Sequence, residues 1–458
     1  MKYRKVLLMA SAMLAFAHAP ASAETLTEAL AKAYTSNPDL AAQRAALRAV
    51  DEDVAAAVSG YRPNISGQAG IDRADESGSS GGATTAKSAS ATVNQPVFRG
   101  FRTRNSVRAA DSQVLAQRER LRTSEQTILQ QVVTAYMDVV RDEAVLRLNQ
   151  NQVEVLQRQL EANRDRFEVG ELTRTDVAQS ESRLSLAISD RTAAEGALTA
   201  SREAYRRVVG QLPGTLDPAP EVPMLPPTAD EAIAVAVEES PVLLAARYDE
   251  QAQRYNVAVN KGSVLPSVDA SAGVTWRDNG GFSRSGLDND FPGTVTGSSD
   301  RTSTSVGATL TVPLYQGGAE YAAVRRAQQI QSQRLLEIAA AERQVTEEAR
   351  NAWEQLRTAR STIQSASEAV RASEIALEGV TQEQMVGSRT ILDVLDAQQE
   401  LLNARVSLVR AQRDQYVAAY ALLASMGRLT AEDLGLPVDV YDPTEHYKRS
   451  RGRLIGWD

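Results

Sequence analysis

Cysteine is absent, which removes disulfide frameworks, thiolate metal sites and cysteine nucleophiles at once. Histidine is nearly absent: His18 and His446 are the only two, too few for a histidine metal cage or a Ser-His-Asp triad. Aromatic residues make up 5% of the chain, little for an enzyme with a large mixed core. No phosphate loop, metal cluster or nucleophile constellation occurs, so no catalytic, cofactor-binding or metal-binding residue and no cofactor is expected. Past the N-terminal segment no stretch stays apolar for the 18 residues of a spanning helix. Positive charge is in deficit, 50 Lys and Arg against 58 Asp and Glu, which argues against a general nucleic-acid binder. The 458 residues are instead rich in Ala, Gln, Arg and Glu, the composition of long helices.

The first segment reads as an export signal at residues 1–23. Lys2, Arg4 and Lys5 form a basic start, Val6 to Ala17 an apolar run, and Ala21-Ser22-Ala23 a small-residue cleavage site before Glu24. Its removal takes the formal charge from -8 to -11. With no cysteine after the cleavage site, a lipid-anchored lipoprotein is excluded. An exported chain without spanning helices crosses a membrane only as strands.

The remainder is a duplication. Thr27-Glu28-Ala29-Leu30 and Asn37-Pro38-Asp39-Leu40 match Asp230-Glu231-Ala232-Ile233 and Ser240-Pro241-Val242-Leu243 at an offset of 203. The offset is 217 from Gln95-Pro96-Val97-Phe98 against Val312-Pro313-Leu314-Tyr315 through to Gly210 against Gly427, so one insertion of 14 residues explains the change. The expected organisation is a first repeat at 24–210, a linker at 211–228 holding six of the 16 prolines, a second repeat at 229–434 and a tail at 435–458.

Each repeat carries two stretches of alternating polarity, expected as strands near 63–73 and 87–97, then 266–277 and 302–314. Ile65, Gly67, Ala69 and Ile71 oppose Asn64, Ser66, Gln68 and Gly70, and Val306, Ala308 and Leu310 oppose Ser305, Gly307 and Thr309. About ten residues of apolar-out, polar-in alternation is the outer-membrane strand pattern, and a soluble hairpin with one wet face is the alternative reading of the same residues. Four strands cannot close a barrel, for which about eight is the minimum, so the chain is expected to oligomerise. From Pro96 to Gly170, and again from Pro313 to Gly387, 74 residues pass without an internal proline, about 110 Å as helix. Gly170 and Gly387 are the expected reversals. The returning segments carry heptad seams, Val394, Leu401, Leu408, Gln415 and Leu422 in one, Val177, Leu184, Arg191, Leu198 and Tyr205 in the other. Arg191 is a costly member unless its head group reaches water.

These residues resemble the TolC-type outer-membrane factors of Gram-negative bacteria. The resemblance rests on the duplicated helix ends Tyr61-Arg62-Pro63 and Leu265-Pro266, on Val312-Pro313-Leu314-Tyr315-Gln316-Gly317-Gly318 and on the two turn regions, Arg158 to Val177 and Val386 to Ala397, and it spans the mature chain to about Leu434. It implies a mainly α fold with a transmembrane β-barrel. In it the duplicated helix–hairpin–long-helix–helix unit forms a homotrimer with a 12-stranded barrel in the cell outer membrane and a 12-helix coiled-coil tunnel through the periplasm. The implied function is a passive export channel working with a periplasmic adaptor and an inner-membrane ABC or proton-driven transporter, surrounded by outer-membrane lipid and binding no nucleic acid. Type I protein secretion is the expected role, on the tail Val440-Tyr441-Asp442-Pro443 with Trp457. Multidrug efflux is the alternative within the family.

At the periplasmic tip the resemblance implies that Asp393 and Asp396 form carboxylate rings at the entrance, although acidic residues in a first helical turn also favour the dipole. It implies a gate latch in which Arg389 and Asp176 form an inter-helix ion pair, with Gln159 and Thr175 as polar partners. Gln384 stands where the family's reference member has tyrosine, which puts that hydrogen bond in doubt. Two rivals come from other classes. A periplasmic coiled-coil adaptor would lack the duplicated hairpins, and an exported enzyme would have only carboxylates such as Glu347 and Glu348, which read as solvated helix faces.

Overall fold

The computed structural model describes residues 23–74, 84–217, 223–280 and 300–456. The expected export signal up to Ser22 and Trp457 therefore lie outside the described residues, as do the loops that follow the first strand of each hairpin. The same order of elements occurs twice. The first run is α1 (Leu26–Ser36), α2 (Pro38–Ser59), β1 (Asn64–Ala74), β2 (Thr84–Arg99), α3 (Arg102–Glu168) and α4 (Arg174–Val209). The second is α5 (Ala229–Glu239), α6 (Pro241–Gly262), β3 (Ser267–Gly280), β4 (Asp300–Thr311), α7 (Ala319–Met385) and α8 (Ile391–Ser425), followed by a tail with α9 (Glu445–Gly452).

The strands form one antiparallel sheet in the order β1-β2-β3-β4. Its register places the apolar sets on one face: Ile65 lies opposite Val93, Val93 opposite Ala272, and Ala272 opposite Val306. The polar sets share the other face, where the hydroxyls of Ser66 and Thr92 meet at 2.8 Å. Neither face is covered, since every residue of β4 is exposed and Ile65 and Ile71 are 71% and 74% exposed. β1 and β4 leave two open edges.

The helices begin later than the proline spacing implied. Pro96 does not end its strand: β2 runs to Arg99, and the ladder shifts register between Pro96 and Phe98. A bulge there accommodates a residue with no N–H to donate. In the second repeat β4 stops at Thr311, short of the expected 314, because Pro313 follows. The long helices α3 and α7 are consequently 67 residues each, about 100 Å rather than 110 Å. At the strand-to-helix junction Gly100 (φ 57°) sits against Gly262, and a Cβ on Gly100 would lie 2.4 Å from the Gly262 carbonyl oxygen.

Shorter helices stack end to end beside the long ones. Asn37 makes the join: its amide donates to the Val208 carbonyl at the end of α4 (3.0 Å), while its Oδ1 accepts from the Asp39 and Leu40 amides at the start of α2. One side chain therefore serves one helix's last carbonyls and the next helix's first N–H groups. In the second repeat Arg428 grips Glu239 with two hydrogen bonds of 2.8 and 2.7 Å at the corresponding junction.

The main core lies around this junction. Tyr136 is fully buried and its hydroxyl lies within hydrogen-bond distance of the carbonyls of Glu24 (2.9 Å) and Asp217 (2.8 Å), drawing the segment before α1 and the linker onto α3. The heptad seam of α8 is buried at Val394, Leu401, Ala411, Ala418 and Leu422. Arg191 is only half-buried on its seam, but its Nε, 3.3 Å from Glu195, is buried without a hydrogen bond among the described residues, so its cost there is only partly relieved.

Candidate functional site

The ends of the two long hairpins are built to one pattern. Five residues join α3 to α4 and five join α7 to α8. In the first turn the Gly170 amide donates to the Phe167 carbonyl (3.0 Å) and the Glu171 amide to the Arg166 carbonyl (2.9 Å); in the second, Gly387 donates to Gln384 (3.0 Å) and Ser388 to Glu383 (3.0 Å). This is the Schellman arrangement, and the left-handed φ angles of Gly170 (82°) and Gly387 (80°) explain glycine at both places. Each chain then re-enters helix through a capping box. The Asp176 amide donates to Thr173 Oγ1 (3.3 Å) and the Thr173 amide to the Asp176 carboxylate (3.0 Å). Asp393 and Thr390 repeat the exchange at 3.2 and 2.9 Å.

The expected site residues occupy these turns, but one subunit does not join them all. Arg389 Nε donates to Glu383 Oε2 across its own turn at 2.8 Å and does not meet Asp176, whose carboxylate caps α4. Thr175 is exposed and Gln384 half-buried. Gln159 leads back to Asp176 through a relay. Its amide donates to Asn163 Oδ1 (3.2 Å), Asn163 donates to Ser180 Oγ (2.8 Å), and Ser180 donates to the Asp176 carbonyl (3.0 Å). Asp396 pairs with Arg183 of α4, joining the second hairpin to the first. Asp393 is held below the ordinary aspartate range by the Thr390 backbone N–H and hydroxyl. That is the opposite of what neighbouring carboxylates would do, so in the single subunit capping dominates its electrostatics.

Three partners were missed in the sequence. Asn163, fully buried, continues the stripe Val153, Leu156, Leu160 at helical spacing, and a lone amide in such a stripe is a register-setting feature. Arg183 and Glu383 carry no local signal, because one contact crosses between hairpins and the other spans a reversal. An apolar cluster completes the tip: Ile391 and Leu395 at the start of α8 pack with Val153, Leu156 and Ala187, with Leu172 against them. At the tip the return helix of the second hairpin is thus tethered to the first by a few side chains and one ion pair, whereas further from the tip Arg413 pairs with Asp138 of α3 at 2.8 Å and the end of α8 joins the main core. Beyond Ala359, α7 has no buried residue in the subunit. Such sparse packing is what a movable element requires.

Comparison with known proteins fits this geometry. A model described as outer membrane efflux protein matches residues 29–211 and 232–428, one stretch in each repeat. Outer membrane efflux protein BepC of Brucella suis is 39% identical over 436 residues, 95% of this chain and 92% of that protein. Outer membrane protein TolC of Vibrio cholerae is 28% identical over 93% of this chain and 96% of its own length. Alkaline protease secretion protein AprF of Pseudomonas aeruginosa is 27% identical over 75% of this chain and 70% of its own. Among solved structures, the Campylobacter jejuni CmeC outer membrane channel superposes with a TM-score of 0.76 at 15% identity, covering 94% of this chain and 89% of that one. A fold shared with an outer membrane channel, and a sequence match that spans both repeats, make this chain an outer-membrane protein of the TolC type and a member of the outer membrane efflux protein family.

Proposed function

We propose that three copies of this chain assemble into one duct, a 12-stranded barrel in the outer membrane continued by a 12-helix tunnel in the periplasm, which conducts cargo passively and catalyses no reaction. The observation that carries this reading is a four-stranded sheet with two open edges and two uncovered faces, set on two 67-residue helices. Such a sheet is stable only when its edges are paired and its apolar face meets lipid. The repeat-related long helices add support: α3 buries 22 of its residues in the subunit and α7 only six, so α7 lies at an edge that neighbouring copies would cover.

Energy would come from an inner-membrane ABC or proton-driven transporter through a periplasmic adaptor seated on the tip. Arg389 would exchange Glu383 for a neighbouring copy's Asp176 when the tunnel shuts, with Gln159, Thr175 and Gln384 around it. Three copies each of Asp393 and Asp396 would line the entrance and favour cations. An exposed ion pair is worth under about 1 kcal/mol, and a weak latch is one that adaptor binding can undo.

For the cargo, the relative named as an efflux protein is similar over more of the chain, and at higher identity, than the one named for protease secretion. That favours small-molecule efflux. Protein secretion is the second reading, supported by AprF. A deletion strain decides: loss of drug tolerance with unchanged secreted proteins supports efflux, and the reverse supports secretion. Purified protein that stays monomeric and leaves planar bilayers non-conducting would refute the duct.

A further inference from the structure

The C-terminal tail is bound along its length and delivered to one place. The Tyr441 amide donates to the Tyr34 hydroxyl (3.1 Å) beside α1. Further on, α9 lies along α2, with His446 Nδ1 3.2 Å from the buried Asp51 carboxylate and the Tyr447 hydroxyl donating to Asp111 of α3 (2.7 Å). Past the helix, Arg62 Nη1 donates to the Arg453 carbonyl at 2.7 Å. Arg62 immediately precedes Pro63 and the first residue of β1, so the tail climbs from the helical body to the base of the sheet.

Two properties of its end stand out. Lys448, Arg449, Arg451 and Arg453 are all exposed, although Arg449 pairs with Glu445 (2.7 Å) and Arg451 reaches Asp111 (3.7 Å). Leu454 and Ile455 follow directly, 76% and 94% exposed. The residue just before them, Arg453, is held by Arg62, the neighbour of exposed Tyr61, and rings recur at the other junctions between helix and strand, Phe101 and Tyr315 exposed and Phe98 stacked edge-on against Phe101 at 5.1 Å. Aromatic residues at the end of membrane strands mark the lipid–water boundary.

We propose that residues 448–455 form a lipid-docking segment, with the cationic side chains on anionic phospholipid headgroups of the periplasmic leaflet and Leu454 and Ile455 inserted at the acyl boundary. Charge complementarity and the continuity of the segment with the barrel's base select this occupant: basic residues leading into an apolar pair are the pattern of an interfacial anchor. The segment would tie each copy's tail, and through Asp51 and Asp111 its α2 and α3, to the membrane beside the barrel. The inference rests on the barrel placement proposed above.

The chain has no native cysteine, so single labels report cleanly. Full-length protein carrying Ile455→Cys with an environment-sensitive dye is reconstituted into nanodiscs of brominated phosphatidylcholine, with or without phosphatidylglycerol. Val306→Cys, on the apolar face of β4, reports the barrel itself. Strong quenching at 455 in phosphatidylglycerol discs is expected, with weaker quenching in phosphatidylcholine alone. Replacing the exposed Arg449 and Arg453 by glutamine should weaken docking roughly fivefold per charge and remove the dependence on lipid charge. Quenching at 306 with none at 455, or quenching at 455 that ignores lipid charge and both arginines, overturns the docking segment. Absence of quenching at 306 overturns the barrel placement, and the docking segment with it.

Discussion

Single residues at the tip carry two duties that compete. Arg389 is paired with Glu383 across its own turn, and Asp176 is committed to capping α4. Charge swaps separate these duties from a latch between copies. If Arg389 serves a neighbouring copy's Asp176, Arg389→Glu raises resting conductance in planar bilayers, and adding Asp176→Arg returns it towards wild type. Adding Glu383→Arg to Arg389→Glu should not rescue it. Rescue by Glu383→Arg, or singles with wild-type conductance, would show that Arg389 only stabilises its own turn. The capping box lost in Asp176→Arg costs about 1 kcal/mol, so rescue by that swap should be incomplete. Asp176 and Asp393 could be read from the sequence as equivalents because both follow threonine by three residues. The partner of Arg389 could not, since contacts across a reversal depend on where the turn closes rather than on residue spacing.

At the scale of elements, punctuation made the long helices legible and also displaced their starts. Proline ends a helix reliably, but Pro96 stands inside a strand because a bulge spares it the missing hydrogen bond. The reversals at Gly170 and Gly387 were readable because a left-handed residue after a helix is nearly always glycine. The close approach of Gly100 to Gly262 was invisible, being a crossing of distant segments. The two kinds of glycine therefore predict different losses. At Gly387 a Cβ would meet nothing within 4 Å, so Gly387→Ala costs only the backbone strain, about 1–2 kcal/mol per copy. It should leave a folded, conducting channel with a slightly lower thermal transition. At Gly100 the same substitution forces a Cβ to 2.4 Å from a backbone oxygen and 2.9 Å from Leu265. Gly100→Ala should abolish the heat-modifiable, barrel-containing form on gels, and a variant that assembles normally would mean the junction can part without cost.

For the whole molecule, the decisive feature is what one copy cannot do alone. Alternation identified both faces of the sheet, and strand number alone required further copies, but nothing in the sequence fixes the register between them. The proposed closure by three copies would pair β4 of one with β1 of the next in antiparallel fashion, because β1 rises from the base at Asn64 and β4 descends to it at Thr311. Within one copy the two edges are separated by three strand spacings, about 14 Å, too far for a disulfide, which needs Cα atoms within about 7 Å. Ser66 faces the polar side of β1, as do Ser305, Gly307, Thr309 and Thr311 in β4. Ser66→Cys combined in turn with cysteine at each of those four positions should give, at one register, a covalently closed trimer on denaturing gels after oxidation. The neighbouring registers should cross-link poorly, and single-cysteine variants not at all. If all four double variants remain at subunit size, the open edges are covered by something other than further copies of this chain.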